Sequence, residues 1–167
     1  MNLTVDHLIQ TTYKEFSNHR IERFTLTDLS RISKIHRNSI YYHFNDIAHL
    51  YRVIFERVIL KEITENCKTT DELLKRTVKY IDKHRIFCLN MYNHGALNAD
   101  FTNIVVFLDE VIFKYREKNS SKRGSLIGGF LVILNCWFDN DLRDDSQKIC
   151  NDLLEYNRFL RGFDFDD

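Results

Sequence analysis

The stretch "TLTDLSRISKIHRNSIYYHF", residues 25–44, gathers hydroxyls, three cations, two histidines and two adjacent tyrosines into two short amphipathic segments. Its first four residues form a capping box: the Thr25 hydroxyl can accept the amide of Asp28 while the Asp28 carboxylate reaches back to the amide of Thr25. Phe24 and Leu29 fall at the staple positions on either side. The box predicts a helix from Thr25 to about Ser33, a short turn over "SKIH", and a second helix over "HRNSIYYHF". Two short helices joined by three or four residues describe a helix-turn-helix, whose second helix can enter the DNA major groove. Leu29, Ile32, Ile35, Ile40 and Phe44 are its expected core. Arg37, Asn38, Tyr42 and His43 are left facing outward, with donors and acceptors suited to base edges and phosphates.

The surrounding chain is consistent with helices throughout. It contains no proline and five glycines in 167 residues, so the usual punctuation of β-turns is missing, and its apolar residues recur at helical spacing. Val5, Leu8, Ile9, Thr12 and Phe16 make the stripe of a first helix that should stop near "SNH" and cover the next two. Asn45 and Asp46 are the expected cap of a fourth helix running to about Asn66 through Leu50, Ile54 and Val58. Further helices are expected at about 70–92, 99–118, 123–139 and 143–160, separated by polar stretches such as "CKTTD" and "DNDLRDD". The fold class expected is all-α, with a helix-turn-helix domain over residues 1–47 and a helical regulatory and dimerisation domain over 48–167.

Composition sets broad limits. An apolar content of 44% with 29% charged residues is that of a globular chain. Cys67, Cys88, Cys136 and Cys150 have no CxxC spacing and no secretion signal opens the sequence, so a reduced, cytoplasmic location is expected. The longest apolar run, "SLIGGFLVILNCWF", is shorter than the ~20 residues that cross a bilayer, and no membrane association is expected. Formal charge is zero overall, but residues 1–62 hold nine Lys/Arg against seven Asp/Glu and five of the seven histidines. That bias permits an anion-binding face without arguing for one.

The order of residues resembles the DNA-binding segment of the tetracycline-repressor-like (TetR) family. Thr25 matches its helix-opening Thr, Asp28, Leu29 and Ser30 its acidic-aliphatic-small triplet, and Ser39 to Phe44 its final Thr-Leu-Tyr-Tyr-His-Phe run. Ile35 and His36 stand where Val and Ser are usual. The resemblance implies phosphate contacts from Thr25, Thr27, Ser39, Tyr41 and His43, and base reading by Arg37, Asn38 and Tyr42. Two positions depart from the pattern. Lys34 replaces the turn glycine, which demands positive φ from a residue with a side chain, at a cost on the order of 1 kcal/mol. Ile47 replaces a lysine that often binds phosphate, a contact Lys34 could partly supply.

Beyond residue 48 the resemblance is architectural and implies a dimer that often encloses a small-molecule effector. On "KRGSLIGGFLVILNCWFDN", Leu126, Phe130, Leu134, Trp137 and Phe138 share a broad face, with Gly128 and Gly129 allowing close backbone approach. Ile149, Leu153, Tyr156 and Leu160 form a second stripe. These stripes suit either a dimeric four-helix bundle or burial inside one subunit. A dimer would place two recognition helices one DNA turn, ~34–36 Å, apart on a palindromic operator. Tyr80, Phe87, Met91, Tyr92, Phe101, Phe107, Phe113 and Tyr115 supply aromatic and soft side chains that suit either a ligand cavity or plain core. His84, Cys88 and His94 do not complete a metal site and read as surface histidines beside a buried cysteine; no cofactor or metal is expected. No phosphate loop, nucleophile elbow or zinc-protease helix is present, so catalysis is not expected. The sequence reading is a homodimeric regulator of transcription, a repressor by preference, binding double-stranded DNA. The alternative is an adaptor that keeps the fold with weakened DNA binding.

Overall fold

The computed structural model describes residues 2–95 and 123–161. All its regular elements there are helical, as the spacing of apolar residues predicts: α1 (Leu3–Asn18), α2 (Leu26–Ser33), α3 (Arg37–His43), α4 (Ile47–Ile54), a π-helical stretch (Phe55–Leu60), α5 (Lys61–Thr64), α6 (Thr70–Lys83), α7 (Arg85–Asn93), α8 (Arg123–Asp139) and α9 (Ser146–Arg161). No helix among the described residues is long and apolar enough to cross a membrane. The helix expected over 99–118 lies outside the described residues.

The chain divides into two compact units, one of Met1–Lys61 with His84–Ala99, the other of Glu62–Lys83 with Asp100–Asp167. In the first, α1 starts at Asn2, whose side-chain oxygen accepts the amides of Thr4 and Val5 at 3.1 and 3.4 Å. Leu8, Ile9 and Phe16 form its buried stripe, together with Thr12, whose hydroxyl donates to the Leu8 carbonyl at 2.9 Å. Phe16 is the centre of an aromatic cluster, with ring centroids 5.1 Å from Phe24, 5.7 Å from Tyr51 and 5.2 Å from His94. Burying side chains of this size contributes about 1.5–3 kcal/mol each.

No glycine closes α1. Its exposed carbonyls are taken instead by Asn90 of α7, which is fully buried. The Asn90 amide nitrogen donates to the carbonyls of Phe16 and His19 at 2.8 and 2.7 Å, and its oxygen accepts the Ile21 amide at 3.0 Å. One side chain thereby satisfies a helix end, the loop after it and itself.

Three elements differ from the sequence expectation. The helix expected over 70–92 breaks at His84 (φ −117°, ψ 39°), where the chain passes from the second unit back to the first. His84 Nδ1 there meets the Tyr13 hydroxyl of α1 at 3.0 Å, a tertiary bond that no local sequence signal announces. The fourth helix reaches Thr64 only by widening into the π stretch. His84 and His94 are half-buried rather than on the surface, and the His94 Nδ1 lies 2.8 Å from the Asn90 carbonyl oxygen. Cys88 is buried as expected, and burial pushes its thiol well above the ordinary range. Among the described residues no group of His, Cys, Asp and Glu could hold a metal ion.

In the second unit α9 packs against both α6 and α8. Phe130, Trp137, Phe138, Ile149, Leu153 and Leu160 are buried within the chain, and Leu134 and Tyr156 are half-buried. These stripes are thus already occupied by packing inside one subunit; the side chain of Leu126 lies outside the described residues. Gly129 lets the Tyr156 ring rest on the α8 backbone, because a Cβ there would run into the Tyr156 ring. The Phe130 ring stands edge-on to Tyr156 at 5.0 Å. Asn157, also buried, donates to the Asp71 carboxylate at 2.6 Å.

Replacing Asn90 by Ala strands two carbonyls and one amide at once. Asn90→Ala should lower unfolding free energy by about 3 kcal/mol, the upper end for unsatisfied buried polar groups, in urea denaturation of the whole chain. A loss below about 1 kcal/mol would show that water replaces the clasp without difficulty.

Candidate nucleic-acid interface

The capping box is complete. The Thr25 hydroxyl oxygen accepts the Asp28 amide at 3.2 Å, and the Asp28 carboxylate accepts from the Thr25 amide at 3.0 Å and from its hydroxyl at 2.6 Å. The Thr25 hydroxyl bond, with help from its amide and the nearby Arg31 and Arg23, holds the Asp28 carboxyl below the usual aspartate range. The Thr25 O–H is therefore spent on the cap. At this helix start Thr27 is the exposed hydroxyl, and Thr25 itself is half-buried. Leu26 and Leu29 bury the inner face of α2, and Phe24 is buried at the staple position. Ile32 and Ile35 are half-buried, so the small core leans on Leu26 more than on them.

The turn is braced by side chains. Ser30 donates to the Ile35 carbonyl at 2.7 Å, Ser33 accepts the Ile35 amide at 3.3 Å, and His7 of α1 reaches the Ser33 carbonyl at 3.1 Å. Lys34 adopts the left-handed conformation, φ 58° and ψ 21°, with an exposed side chain. The glycine-like geometry is kept without the glycine. His36 caps α3 through Nδ1, which accepts the Asn38 amide at 3.3 Å.

On α3, Ile40 and Phe44 are buried, while Arg37, Asn38, Ser39, Tyr41 and Tyr42 are exposed. Tyr42 leaves 85% of its surface open, far more than an aromatic ring serving as core. His43 is half-buried, its ring 5.1 Å from that of Tyr42 and nearly perpendicular to it. An open depression runs along this face, lined by Asn38, Ser39, Tyr42, His43 and Thr4 of α1. Thr4 carries no motif and only tertiary packing brings it here. The paired serines flanking the turn, by contrast, were a local signal for its bracing. Asp46 caps α4 by accepting the His49 amide at 2.7 Å, and Ile47 follows half-buried, so this helix start offers no cation of its own.

The expected ligand-cavity residues that the structure describes are all buried. Phe87, Met91 and Tyr92 are buried in the first unit and Tyr80 in the second, and Phe87 packs its ring 4.6 Å from Tyr13. Phe101, Phe107, Phe113 and Tyr115 lie outside the described residues.

These elements make an all-helical chain with a braced helix-turn-helix presenting a polar and aromatic outer face. No protein-family model matches the chain, and no curated protein matches it. Its fold is similar to that of several solved structures, two of which follow. One is a dihydroxyacetone kinase operon activator, DhaS, at 16% identity, with a TM-score of 0.58 over 95% of this chain and 94% of that one. The other is a fatty acid degradation regulator, FadR, from Bacillus halodurans, at 15% identity, with a TM-score of 0.55 over 99% of this chain and 98% of that one. At these identities the likeness is one of fold.

The left-handed turn yields a direct check. Lys34→Gly removes the steric cost of positive φ and should raise stability by about 1 kcal/mol in thermal or urea unfolding. A destabilising effect would mean that the Lys34 stem contributes packing that outweighs the backbone cost.

Proposed function

We propose that the chain is a DNA-binding regulator of transcription of the tetracycline-repressor type, acting as a homodimer on a palindromic operator and releasing it in response to a small-molecule effector. The observation that carries this reading is the outer face of α3. Five consecutive-turn side chains able to bond bases or phosphates are exposed there, on a helix pinned by Ile40 and Phe44. The two proteins of similar fold are named as an operon activator and a degradation regulator, which supports regulation without choosing between activation and repression.

In this reading Asn38 and Tyr42 read base edges, and Thr27, Ser39 and His43 position the helix on phosphates, with Lys34 as the nearest cation at the turn. The Thr25 hydroxyl serves the cap rather than a phosphate. An effector held by the second unit would change the inclination of α4 and move the two recognition helices out of step with successive grooves. Such a protein works where its DNA is, in the cytoplasm, and carries no catalytic step. Fluorescence anisotropy on duplexes enriched from random sequence should show saturable binding that weakens steeply with salt. Asn38→Ala and Tyr42→Ala should each reduce the preference over scrambled DNA by about tenfold, near the lower end of a base contact's worth. Binding that ignores salt and sequence would instead favour an adaptor, a reading in which the uncharged Ile47 start of α4 is the telling feature.

The dimer face proposed is the outward side of α8 and α9. Val132 is 61% and Phe159 59% exposed, Cys136 is exposed one turn beyond Val132, and a Cβ at Gly128 would meet nothing within 4 Å. Val132→Lys should leave the subunit fold unchanged within about 0.5 kcal/mol, as for exposed positions generally. It should nonetheless convert the dimer to monomer in sedimentation velocity at micromolar concentration. A dimer of unaltered dissociation constant would put the interface elsewhere.

A further inference from the structure

Arg37 and Tyr41 lie one helical turn apart on the exposed face of α3, and they are joined. The Tyr41 hydroxyl oxygen accepts from Arg37 Nε at 3.3 Å and from Nη2 at 2.8 Å, and the guanidinium carbon lies 5.3 Å from the Tyr41 ring centroid. A guanidinium has two edges that can offer parallel donors, the side edge of Nε and Nη2 and the end edge of Nη1 and Nη2. Tyrosine occupies the side edge, so only the end edge faces outward. The contact favours one posture of the long arginine stem on an otherwise solvent-exposed surface, which lowers the ordering cost of binding.

We infer that Tyr41 is a positioning residue that holds Arg37 to read a guanine in each operator half-site. This rests on the DNA-binding reading above and goes beyond it by naming the base and the residue that holds its reader in place. Among the base edges of the major groove, guanine alone offers two adjacent acceptors, O6 and N7, to a pair of parallel donors. Adenine pairs its N7 with an amino donor, which the Arg37 edge would meet donor to donor. Arg37 is the first residue of α3, and the N-terminal residues of a recognition helix are those that meet base edges. Because the Tyr41 oxygen accepts from Arg37, its own O–H remains to donate outward, toward a phosphate oxygen. Tyr41 thus carries two separable roles, a phosphate contact blind to sequence and the orientation of Arg37.

The two roles differ in how Tyr41→Phe alters the binding profile. Random-sequence selection and anisotropy on the resulting duplexes are run for the whole chain and for Tyr41→Phe and Arg37→Ala, with matched melting curves. The wild-type selection should yield one strongly preferred guanine per half-site, and guanine-to-adenine exchange should weaken binding by about tenfold. Tyr41→Phe should cut that single ratio to about twofold to threefold while the ratios at other positions stand, and Arg37→Ala should remove it. A Tyr41→Phe protein that binds every duplex more weakly by one common factor overturns the positioning role and leaves only a phosphate contact. An Arg37→Ala protein with the guanine preference intact overturns the assignment of the base. A wild-type chain that selects no sequence overturns the DNA-binding reading itself, and this inference with it.

Discussion

The Asn90 amide is the interaction on which the first unit depends. Helix α1 must end abruptly to let the chain turn into α2, and its sequence offers neither glycine nor a cationic last turn to finish it. Asn90, itself fully buried, supplies the missing donors from α7, and its three bonds reach sixty-nine or more residues along the chain. Because α1 also carries Phe16 into the aromatic cluster and His7 to the end of α2, the clasp fixes the brace against which α3 is displayed. The outer face of α3 is held from behind.

That arrangement bears on regulation. The first unit is not one continuous piece of chain: α7 returns to it after α6 has been spent in the second unit. Two links therefore leave the helix-turn-helix, the π-widened continuation of α4 and the segment 84–95 that Asn90 ties to α1. Movement of either would be felt at α1. Half-buried His94, packed near Phe16 and Tyr51, sits where these paths meet.

Much of this was legible in the sequence because its signals are local. The box of Thr25 and Asp28, the Asp46 cap and the Ile40 and Phe44 pair each involve residues within a turn of one another, and periodicity alone gives the all-helical class. The resemblance of the 25–44 stretch to a known DNA-binding segment supplied roles for its polar residues, but it could not show that the Thr25 O–H is spent on Asp28 or that Tyr41 grips Arg37. Those depend on rotamers. What pattern could not supply was the identity of partners across the fold. The stripe of Phe130, Trp137, Phe138, Ile149, Leu153 and Leu160 is equally apolar whether it meets another subunit or its own chain, and only the packed structure shows it filled from within. The break at His84 and the π stretch at Phe55–Leu60 have no glycine or proline to announce them, and the Tyr13 bond at His84 comes from another part of the chain.

In the proposed complex two copies of α3 enter adjacent major grooves on one face of DNA. Hydroxyl-radical footprinting of the chain on a duplex enriched from random sequence tests this most directly. The account predicts two equivalent protected patches centred about 10–10.5 base pairs apart and related by a two-fold axis, both weakened by Asn38→Ala. A single patch, or uniform protection that Asn38→Ala leaves unchanged, would contradict it.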